Sequence, residues 1–230
     1  PKIQAGRAKA PSLEKVILIE PEVPPGFLSY PRLVEKSPEE MEVADMGDDE
    51  LAALVYTAGT TGRPKGVMHT HLSLYSNARM QAQSVPLPDG MTSVFVLPLC
   101  HSYGIASMNQ GLFRQGGKAV LLGSFNVEAI LAAIQKYRAN ILAGVPTMFT
   151  TWLELDEHAL PADTFASVRL AVSGAAELPV TVGEAFRGRF GVVLHQGYGL
   201  TEASPIVTST ALDDEIPKPG SIGPPLPGVD

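Results

Sequence analysis

Residues 51–67 read LAALVYTAGTTGRPKGV, an apolar segment that leads into small and hydroxylated residues and then a lysine. Gly59 and Gly62 permit a tight backbone turn and close approach of a ligand, while Lys65 supplies a positive charge. Consecutive backbone N–H groups in a turn can bind an anion. A lysine about 4 Å from a phosphate oxygen gains roughly 4 kcal/mol of electrostatic attraction, before desolvation is counted, at an effective dielectric near 20. The stretch therefore predicts a phosphate-binding loop; the alternative is an ordinary glycine-rich hairpin.

This loop differs from the Walker A loop of P-loop kinases and NTPases. A Walker A loop ends in a Gly-Lys-Ser/Thr junction that opens a helix. Here Lys65 follows Pro64 and precedes Gly66. The sequence thus lacks the junction that a generic P-loop enzyme needs.

The loop resembles the phosphate-binding signature of the adenylate-forming superfamily, which includes acyl-CoA synthetases, aryl-CoA ligases, luciferases and peptide synthetase adenylation domains. The typical signature is Ser/Thr-Ser-Gly-Thr-Thr-Gly-x-Pro-Lys-Gly, and residues 57–66 depart from it at Ala58, which removes one hydroxyl. Two segments, LPLCHSYGI at 97–105 and HQGYGLTEAS at 195–204, resemble later signatures in the same order. Between them, SGAAELP at 173–179 matches the turn that lines the adenine and acyl pockets.

The resemblance implies which residues bind the nucleotide. The first loop is expected to hold the β- and γ-phosphates of ATP through Thr57, Ala58, Gly59, Thr60, Thr61, Gly62 and Lys65. The rest of the nucleotide is assigned to Gly174, Ala175, Ala176, Gln196, Gly197, Tyr198 and Thr201. Within this set, Tyr198 packs on the adenine and Thr201 contacts the α-phosphate. For Tyr198 the alternative is a core aromatic, although its flanking glycines suit the approach of a flat base.

The resemblance also implies metal, substrate and catalytic residues. Mg²⁺ is assigned to Glu202 and Thr60, although a glutamate in this position can also be an ordinary carboxylate in the first turn of a helix. The acyl pocket is assigned to His101, Tyr103, Gly174 and Ala175. The residues expected to act in catalysis are Lys65, Thr201, Glu202 and His101.

Two histidine patterns have simpler interpretations than catalysis or metal binding. His101 follows Cys100, but no pattern of a thiol hydrolase surrounds the pair. His69 and His71 are two residues apart with no third ligand nearby, so hairpin and helix-entry positions are favoured over a metal site.

The implied reaction is ATP-dependent activation of a carboxylic acid to an acyl-adenylate, followed by transfer to coenzyme A. A medium- or long-chain fatty acid is favoured, because GYGLTEASP and AGVPTMF at 143–149 resemble fatty acyl-CoA synthetases. The alternatives are an aryl acid such as a cinnamate and a luciferase-like enzyme. An alternative of another class is a non-catalytic nucleotide-binding or scaffold fragment.

Composition agrees with a globular enzyme and excludes some partners. The chain has 17 Lys and Arg against 24 Asp and Glu, a formal charge of −7, which argues against nonspecific nucleic-acid binding. A single cysteine excludes an intrachain disulfide, and no signal peptide or membrane-spanning run is visible, so a cytoplasmic location is expected. The sequence leaves open whether copies of the chain form a homo-oligomer.

Apolar runs alternate with helical patterns, which predicts an α/β fold with a mostly parallel sheet flanked by helices. The resemblance identifies it as the central part of an acyl-CoA synthetase-like N-terminal domain. Residues 1–50 are expected to hold a strand and a Pro-rich connection, 51–215 the ATP- and acyl-binding subdomain, and 216–230 the start of a truncated β-barrel subdomain. The superfamily's ribose-binding aspartate and mobile catalytic lysine would lie outside this sequence, so the chain alone is expected to be inactive.

Individual elements follow from periodicity, caps and breakers. Strands are predicted at 15–20, 51–57, 92–99, 118–123, 140–143, 168–174 and 192–197. Helices are predicted at 71–84 with Thr70 as cap, 103–115, 127–137 with Asn126 as cap, 146–155 and 179–190. Since ligands of open α/β sheets bind at the carboxyl ends of strands, all four signature segments are expected to meet at one crevice.

Overall fold

A computed structural model of the chain describes residues 6, 9–59, 62–85, 90–108, 116–156, 158, 160–161, 163–212 and 217–229. The predicted site residues Thr60 and Thr61 and the predicted end of a helix at 109–115 lie outside this set. The chain divides into two compact units, Pro1–Asp45 and Met46–Asp230.

The first unit contains a short helix that the sequence does not predict. Strand β1 (Ile17–Leu18) pairs in parallel with β2 (Leu28–Ser29), and α1 (Tyr30–Lys36) follows directly. The Pro-rich passage was expected to be loop throughout. However, proline in the first turn of a helix loses no hydrogen bond, and the Ser29 side chain caps this helix by accepting a bond from the Arg32 N–H.

The second unit is built on a six-stranded sheet, ordered β10-β9-β8-β7-β5-β6. Its strands are β5 (Thr92–Phe95), β6 (Lys118–Leu121), β7 (Ile141–Gly144), β8 (Leu170–Ser173), β9 (Leu194–Gly199) and β10 (Ile206–Ser209). Neighbouring strands run parallel except β10, which pairs antiparallel with β9. The predicted mostly parallel α/β sheet is confirmed.

Helices cover both faces of this sheet. They are α2 (His71–Ser84), α3 (Ser102–Met108), α4 (Val127–Tyr137), α5 (Pro146–Glu154) and α6 (Val180–Phe190). The predicted caps are confirmed, because Thr70 Oγ1 accepts a bond from the Ser73 N–H and Asn126 Oδ1 one from the Ala129 N–H. None of the helices in the described ranges is both long and apolar enough to span a bilayer.

The strand before the predicted phosphate loop does not belong to this sheet. β3 (Leu51–Thr57) and β4 (Lys65–Thr70) form a separate antiparallel hairpin, in which Thr57 pairs with Lys65. The prediction that this strand ends at the carboxyl edge of the parallel sheet is therefore wrong. The short loop favours antiparallel pairing of β3 with β4, since a parallel pair needs a crossover of roughly a dozen residues, and the two strands form a sheet of their own.

An aromatic cluster forms the centre of the core under α4, α5 and α6. Phe149, Trp152, Phe165 and Phe186 are each 0% exposed, and their contacting ring centroids lie 5.2 to 6.4 Å apart. Trp152 is the single tryptophan of the chain. Its fluorescence therefore reports on the integrity of this core.

Replacing Arg189 with methionine is expected to lower the free energy of unfolding by about 2 kcal/mol, since bonds from a charged donor to buried acceptors are among the strongest. The guanidinium group ties the end of α5 to the following loop: Nη1 donates to the carbonyls of Leu153 and Leu155 at 3.1 and 2.6 Å, and Nη2 to that of Leu160 at 3.0 Å. Denaturant unfolding followed by Trp152 fluorescence measures the loss. Arg187→Met is the matched control, because Arg187 is exposed and lies in α6, the helix that also carries Arg189. Equal losses in both variants would contradict this role for Arg189.

Candidate active site

A crevice lies where the parallel strands β5, β8 and β9 lead into their loops. Three of the four signature segments line it. The lining residues are His101, Ser102, Tyr103, Gly174, Ala175, Gly197, Gly199, Leu200, Thr201, Pro205 and Ile206. The expected convergence at the carboxyl ends of strands is thus seen for these three segments.

The predicted phosphate loop forms the tip of the β3–β4 hairpin and does not line the crevice within the described residues. Gly59 has φ +68°, and a Cβ there would lie 2.2 Å from the Arg63 carbonyl oxygen. Only glycine fits this close approach. The described part of the loop is a glycine-rich turn that joins β3 to β4, with the exposed Lys65 at its base, and its role in phosphate binding stays a prediction.

Tyr103 separates the crevice from a second cavity. It is 8% exposed, its hydroxyl donates to the Val172 carbonyl at 3.3 Å, and its ring packs on the backbone of Gly174. Burial raises the pKa of this phenol, so it stays protonated and remains a donor. The second cavity has a mainly apolar lining. Tyr103 borders both spaces.

His101 is exposed at the crevice. Its Nδ1 accepts a hydrogen bond from the Tyr103 backbone N–H at 3.2 Å. The neutral imidazole therefore carries its proton on Nε2, which is the ring nitrogen left for a ligand.

The turn that follows β9 presents Thr201 and Glu202. Residues 201–203 form one 3₁₀ turn, closed by bonds from the Leu200 N–H to the Pro205 carbonyl at 3.0 Å and from the Ala203 N–H to the Leu200 carbonyl at 2.9 Å. We refer to residues 200–205 as the Thr201 turn. Thr201 is half-buried and Glu202 is exposed.

Sequence reasoning missed several residues that support the Thr201 turn. Ser102 Oγ is hydrogen-bonded to Thr201 Oγ1 at 3.2 Å, and His69 Nδ1 to Ser204 Oγ at 3.0 Å. Ser102 lies within the signature segment 97–105, so the sequence did contain an indication that it belongs to the site. His69 offered no signal of this kind, because its partner is 135 residues away in the chain.

Three of the predicted nucleotide-binding residues lie beside the crevice rather than in its lining. The side chain of Gln196 is occupied within the protein: Oε1 accepts from the Leu178 N–H and Nε2 donates to the Ser221 carbonyl, both at 3.0 Å. Tyr198 is 48% exposed and Ala176 is exposed, so both remain accessible to a ligand. The proposed roles of these residues stay predictions.

The donor set suits a magnesium ion that arrives with phosphates. No group of three or more His, Cys, Asp or Glu side chains gathers among the described residues, so they contain no cage of such ligands. Mg²⁺ commonly takes one or two carboxylates plus substrate phosphate oxygens and water. The exposed Glu202 carboxylate beside the crevice fits this pattern, whereas Thr60, the other predicted ligand, lies outside the described residues.

The chain belongs to the AMP-binding enzyme family, whose sequence profile matches residues 2–230. It is 35% identical over 185 residues to the long-chain-fatty-acid–CoA ligase of Bacillus subtilis (strain 168), covering 80% of this chain and 32% of that protein. It is also 35% identical over 190 residues to 4-coumarate–CoA ligase 3 of Arabidopsis thaliana, covering 79% of this chain and 34% of that protein.

A solved structure shares the fold. ATP-bound MatB from Rhodopseudomonas palustris superimposes with a TM-score of 0.77 at 33% identity, over 88% of this chain and 39% of that one. The chain thus spans about a third of the length of the two curated relatives that it matches.

Proposed function

We propose that the protein activates a carboxylic acid with ATP and transfers the acyl group to coenzyme A, as part of an AMP-forming acid–thiol ligase. The observation that carries this proposal is the crevice in which His101 and Tyr103, the Gly174 loop and the Thr201 turn meet. The names of the relatives support it, since two are CoA ligases and the third was solved with ATP bound.

In the first step, a carboxylate oxygen of the acid attacks the α-phosphorus of ATP. The bond from that phosphorus to the bridging oxygen of pyrophosphate breaks, and an acyl-adenylate forms. In the second step, the CoA sulfur, after losing its proton, attacks the acyl carbonyl carbon, and the carbonyl–oxygen bond to AMP breaks.

The residues of this chain bind and orient the reactants in that scheme. Lys65 and the loop at the hairpin tip hold the outer phosphates, and Thr201 donates to the α-phosphate. Glu202 would hold Mg²⁺. When bound, Mg²⁺ neutralises the charge that grows on pyrophosphate as it leaves. His101 stands at the entry to the acid crevice, with its Nε2–H as a donor.

For the substrate we propose an acid with an apolar tail, in first place a medium- or long-chain fatty acid. The cavity behind Tyr103 supports this assignment, because its mainly apolar lining would shelter a hydrocarbon chain from water. An aryl acid is the second candidate, favoured by the similarity to 4-coumarate–CoA ligase 3 and by the flat Tyr103 ring at the crevice.

We also retain the prediction that 51–215 binds ATP and the acid and that 216–230 opens the next subdomain.

Acid-dependent exchange of labelled pyrophosphate into ATP tests the first step. The protein from the complete coding sequence, assayed with Mg²⁺ over a panel of short, long and aryl acids, is expected to catalyse exchange only when an acid is present. Added CoA is expected to convert the same acid to its thioester with release of AMP. ATP binding without acid-dependent exchange would contradict the proposal and favour the non-catalytic alternative.

Replacing Tyr103 with alanine is expected to raise the ratio of kcat/KM for a twelve-carbon acid over a four-carbon acid by about tenfold, because a few methylene groups moved from water into an apolar cavity are worth more than 1 kcal/mol. The change removes the ring that lies between the crevice and the second cavity, which gives a long chain more room to enter. Exchange rates with a series of fatty acids measure the ratio. Tyr103→Phe retains the ring and is expected to keep the original ratio, and an unchanged ratio in the alanine variant would contradict the role of Tyr103 as a partition.

A further inference from the structure

Four buried polar residues connect the hairpin and helix α2 to the Thr201 turn. They are His69 on β4, Asn77 and Gln81 on α2, and Ser204 in the turn, and they are 1%, 2%, 7% and 8% exposed. We name this set the polar seam. It lies outside the residues that line the crevice, although Gln81 borders the apolar cavity behind Tyr103.

His69 and Ser204 form the direct link of the polar seam. His69 Nδ1 and Ser204 Oγ are 3.0 Å apart in a hydrogen bond. Ser204 has φ +69°, a left-handed conformation that serine rarely adopts without local support. The bond therefore stabilises the left-handed conformation of Ser204, near the end of the turn that carries Thr201 and Glu202.

Asn77 and Gln81 reinforce the same turn through its backbone. Asn77 Nδ2 donates to the Ile206 carbonyl at 2.8 Å and to the Ala203 carbonyl at 3.4 Å. Gln81 Nε2 donates to Asn77 Oδ1 at 2.6 Å, which fixes the orientation of the asparagine amide. The two bonds from Asn77 end on main-chain oxygens, one in the turn and one at the first residue of β10, so they help to determine where the turn lies.

Burial of the His69 imidazole at this position is unfavourable in free energy. Its Nε2 is fully buried and has no hydrogen-bond partner among the described residues. Burial lowers the pKa of His69, opposed by the carboxylate of Glu202, and so favours the neutral ring. A leucine would fill the space without an unsatisfied nitrogen, so His69 adds little to stability. A polar pair instead selects one relative position of the two elements that it joins.

We propose that His69 is a positioning residue that fastens the Thr201 turn to the strand leading from the phosphate loop, so that both act on one nucleotide. The loop with Lys65 and the turn with Thr201 and Glu202 lie on separate sheets. A nucleotide that spans them needs a constant distance between them, and the bond from His69 to Ser204 holds that distance. This inference rests on the proposed function, because it assigns the seam to the site where ATP binds.

The test is a double-mutant cycle of His69→Leu and Ser204→Ala in the protein from the complete coding sequence. Each single variant is expected to lower kcat/KM for ATP in pyrophosphate exchange by about tenfold, and the double variant by no more than either, because both remove the same bond. The KM for the acid is expected to stay within about twofold. His69→Asn places an amide where Nδ1 lies and is expected to recover most of the activity.

His158→Leu is the matched control, since it removes a fully exposed histidine and is expected to change kcat/KM by less than about twofold. Additive losses in the cycle would overturn the positioning role. An asparagine variant as poor as the leucine variant would also overturn it. Unfolding followed by Trp152 fluorescence identifies any variant that fails to fold, and the two milder variants, Ser204→Ala and His69→Asn, then decide the question.

Equilibrium titration with ATP·Mg²⁺ separates this inference from the proposed function. If the wild type shows no acid-dependent exchange, the proposed function fails, but the Kd for ATP still tests the seam. A Kd about tenfold higher in His69→Leu, unchanged in His158→Leu, supports the inference. An unchanged Kd in His69→Leu, or a wild type that does not bind ATP, overturns it.

Discussion

Replacing Lys65 with alanine is expected to reduce acid-dependent ATP–pyrophosphate exchange by about a hundredfold, mainly through a higher KM for ATP. A hundredfold loss corresponds to about 2.7 kcal/mol, which is less than the roughly 4 kcal/mol that a lysine close to a phosphate gains before its ammonium group is desolvated. Lys65 is exposed at the first position of β4, opposite Thr57, at the base of the loop. Its charge is therefore held beside the backbone groups proposed to bind the outer phosphates.

Arg63→Ala is the matched control for this prediction. Arg63 is an exposed cation in the same loop, two residues before Lys65, so both variants remove one positive charge from the hairpin tip. The control is expected to keep exchange within about twofold. Equal losses in the two variants would show that the loop attracts ATP only through its net charge, contrary to a specific contact from Lys65.

Replacing Gly199 with alanine is expected to reduce exchange by at least a hundredfold, because a backbone shift of about 1 Å at a reacting site costs that much. A Cβ at position 199 would lie 2.1 Å from the carbonyl oxygen of Pro205 and 3.0 Å from the Cα of Ile206. The same carbonyl accepts the bond from the Leu200 N–H that closes the Thr201 turn. The clash therefore displaces the turn that carries Thr201 and Glu202.

Gly188→Ala provides the comparison for Gly199→Ala. Gly188 lies inside α6, and a Cβ there would meet nothing within 4 Å. Alanine is expected to raise the free energy of unfolding by about 0.5–1 kcal/mol at this helical position and to leave exchange unchanged. Exchange assays and denaturant unfolding of both variants measure the contrast. Near-normal exchange by Gly199→Ala would mean that the turn tolerates displacement, and the proposed contact from Thr201 to the α-phosphate would be wrong.

The local features of the fold could be predicted because their causes are local. Thr70 and Asn126 cap helices through bonds to residues three positions ahead, and both bonds are present. The crevice could be predicted in outline, since strands β5, β8 and β9 run parallel and deliver their loops to one edge.

The long-range features could not be predicted in this way. The apolar segment 51–57 reads equally well as a strand of the main sheet or of a separate hairpin, because periodicity does not identify a pairing partner. Strand β10 was not predicted, because its antiparallel pairing with β9 follows from the turn between them. In the polar seam, Asn77 bonds to the carbonyl of Ile206, which is 129 positions away in the chain. A single sequence carries no sign of such contacts.

The separation of 135 residues between His69 and Ser204 has a consequence for biosynthesis. Ribosomes add roughly 5–20 residues per second, so about 7–27 s pass between synthesis of the hairpin and synthesis of the turn that it binds. During that interval the nascent hairpin exists without its partner, so His69, which is 1% exposed in the folded chain, stays accessible to solvent. The crevice proposed to bind ATP therefore cannot assemble until the Thr201 turn has been synthesised, well after the hairpin.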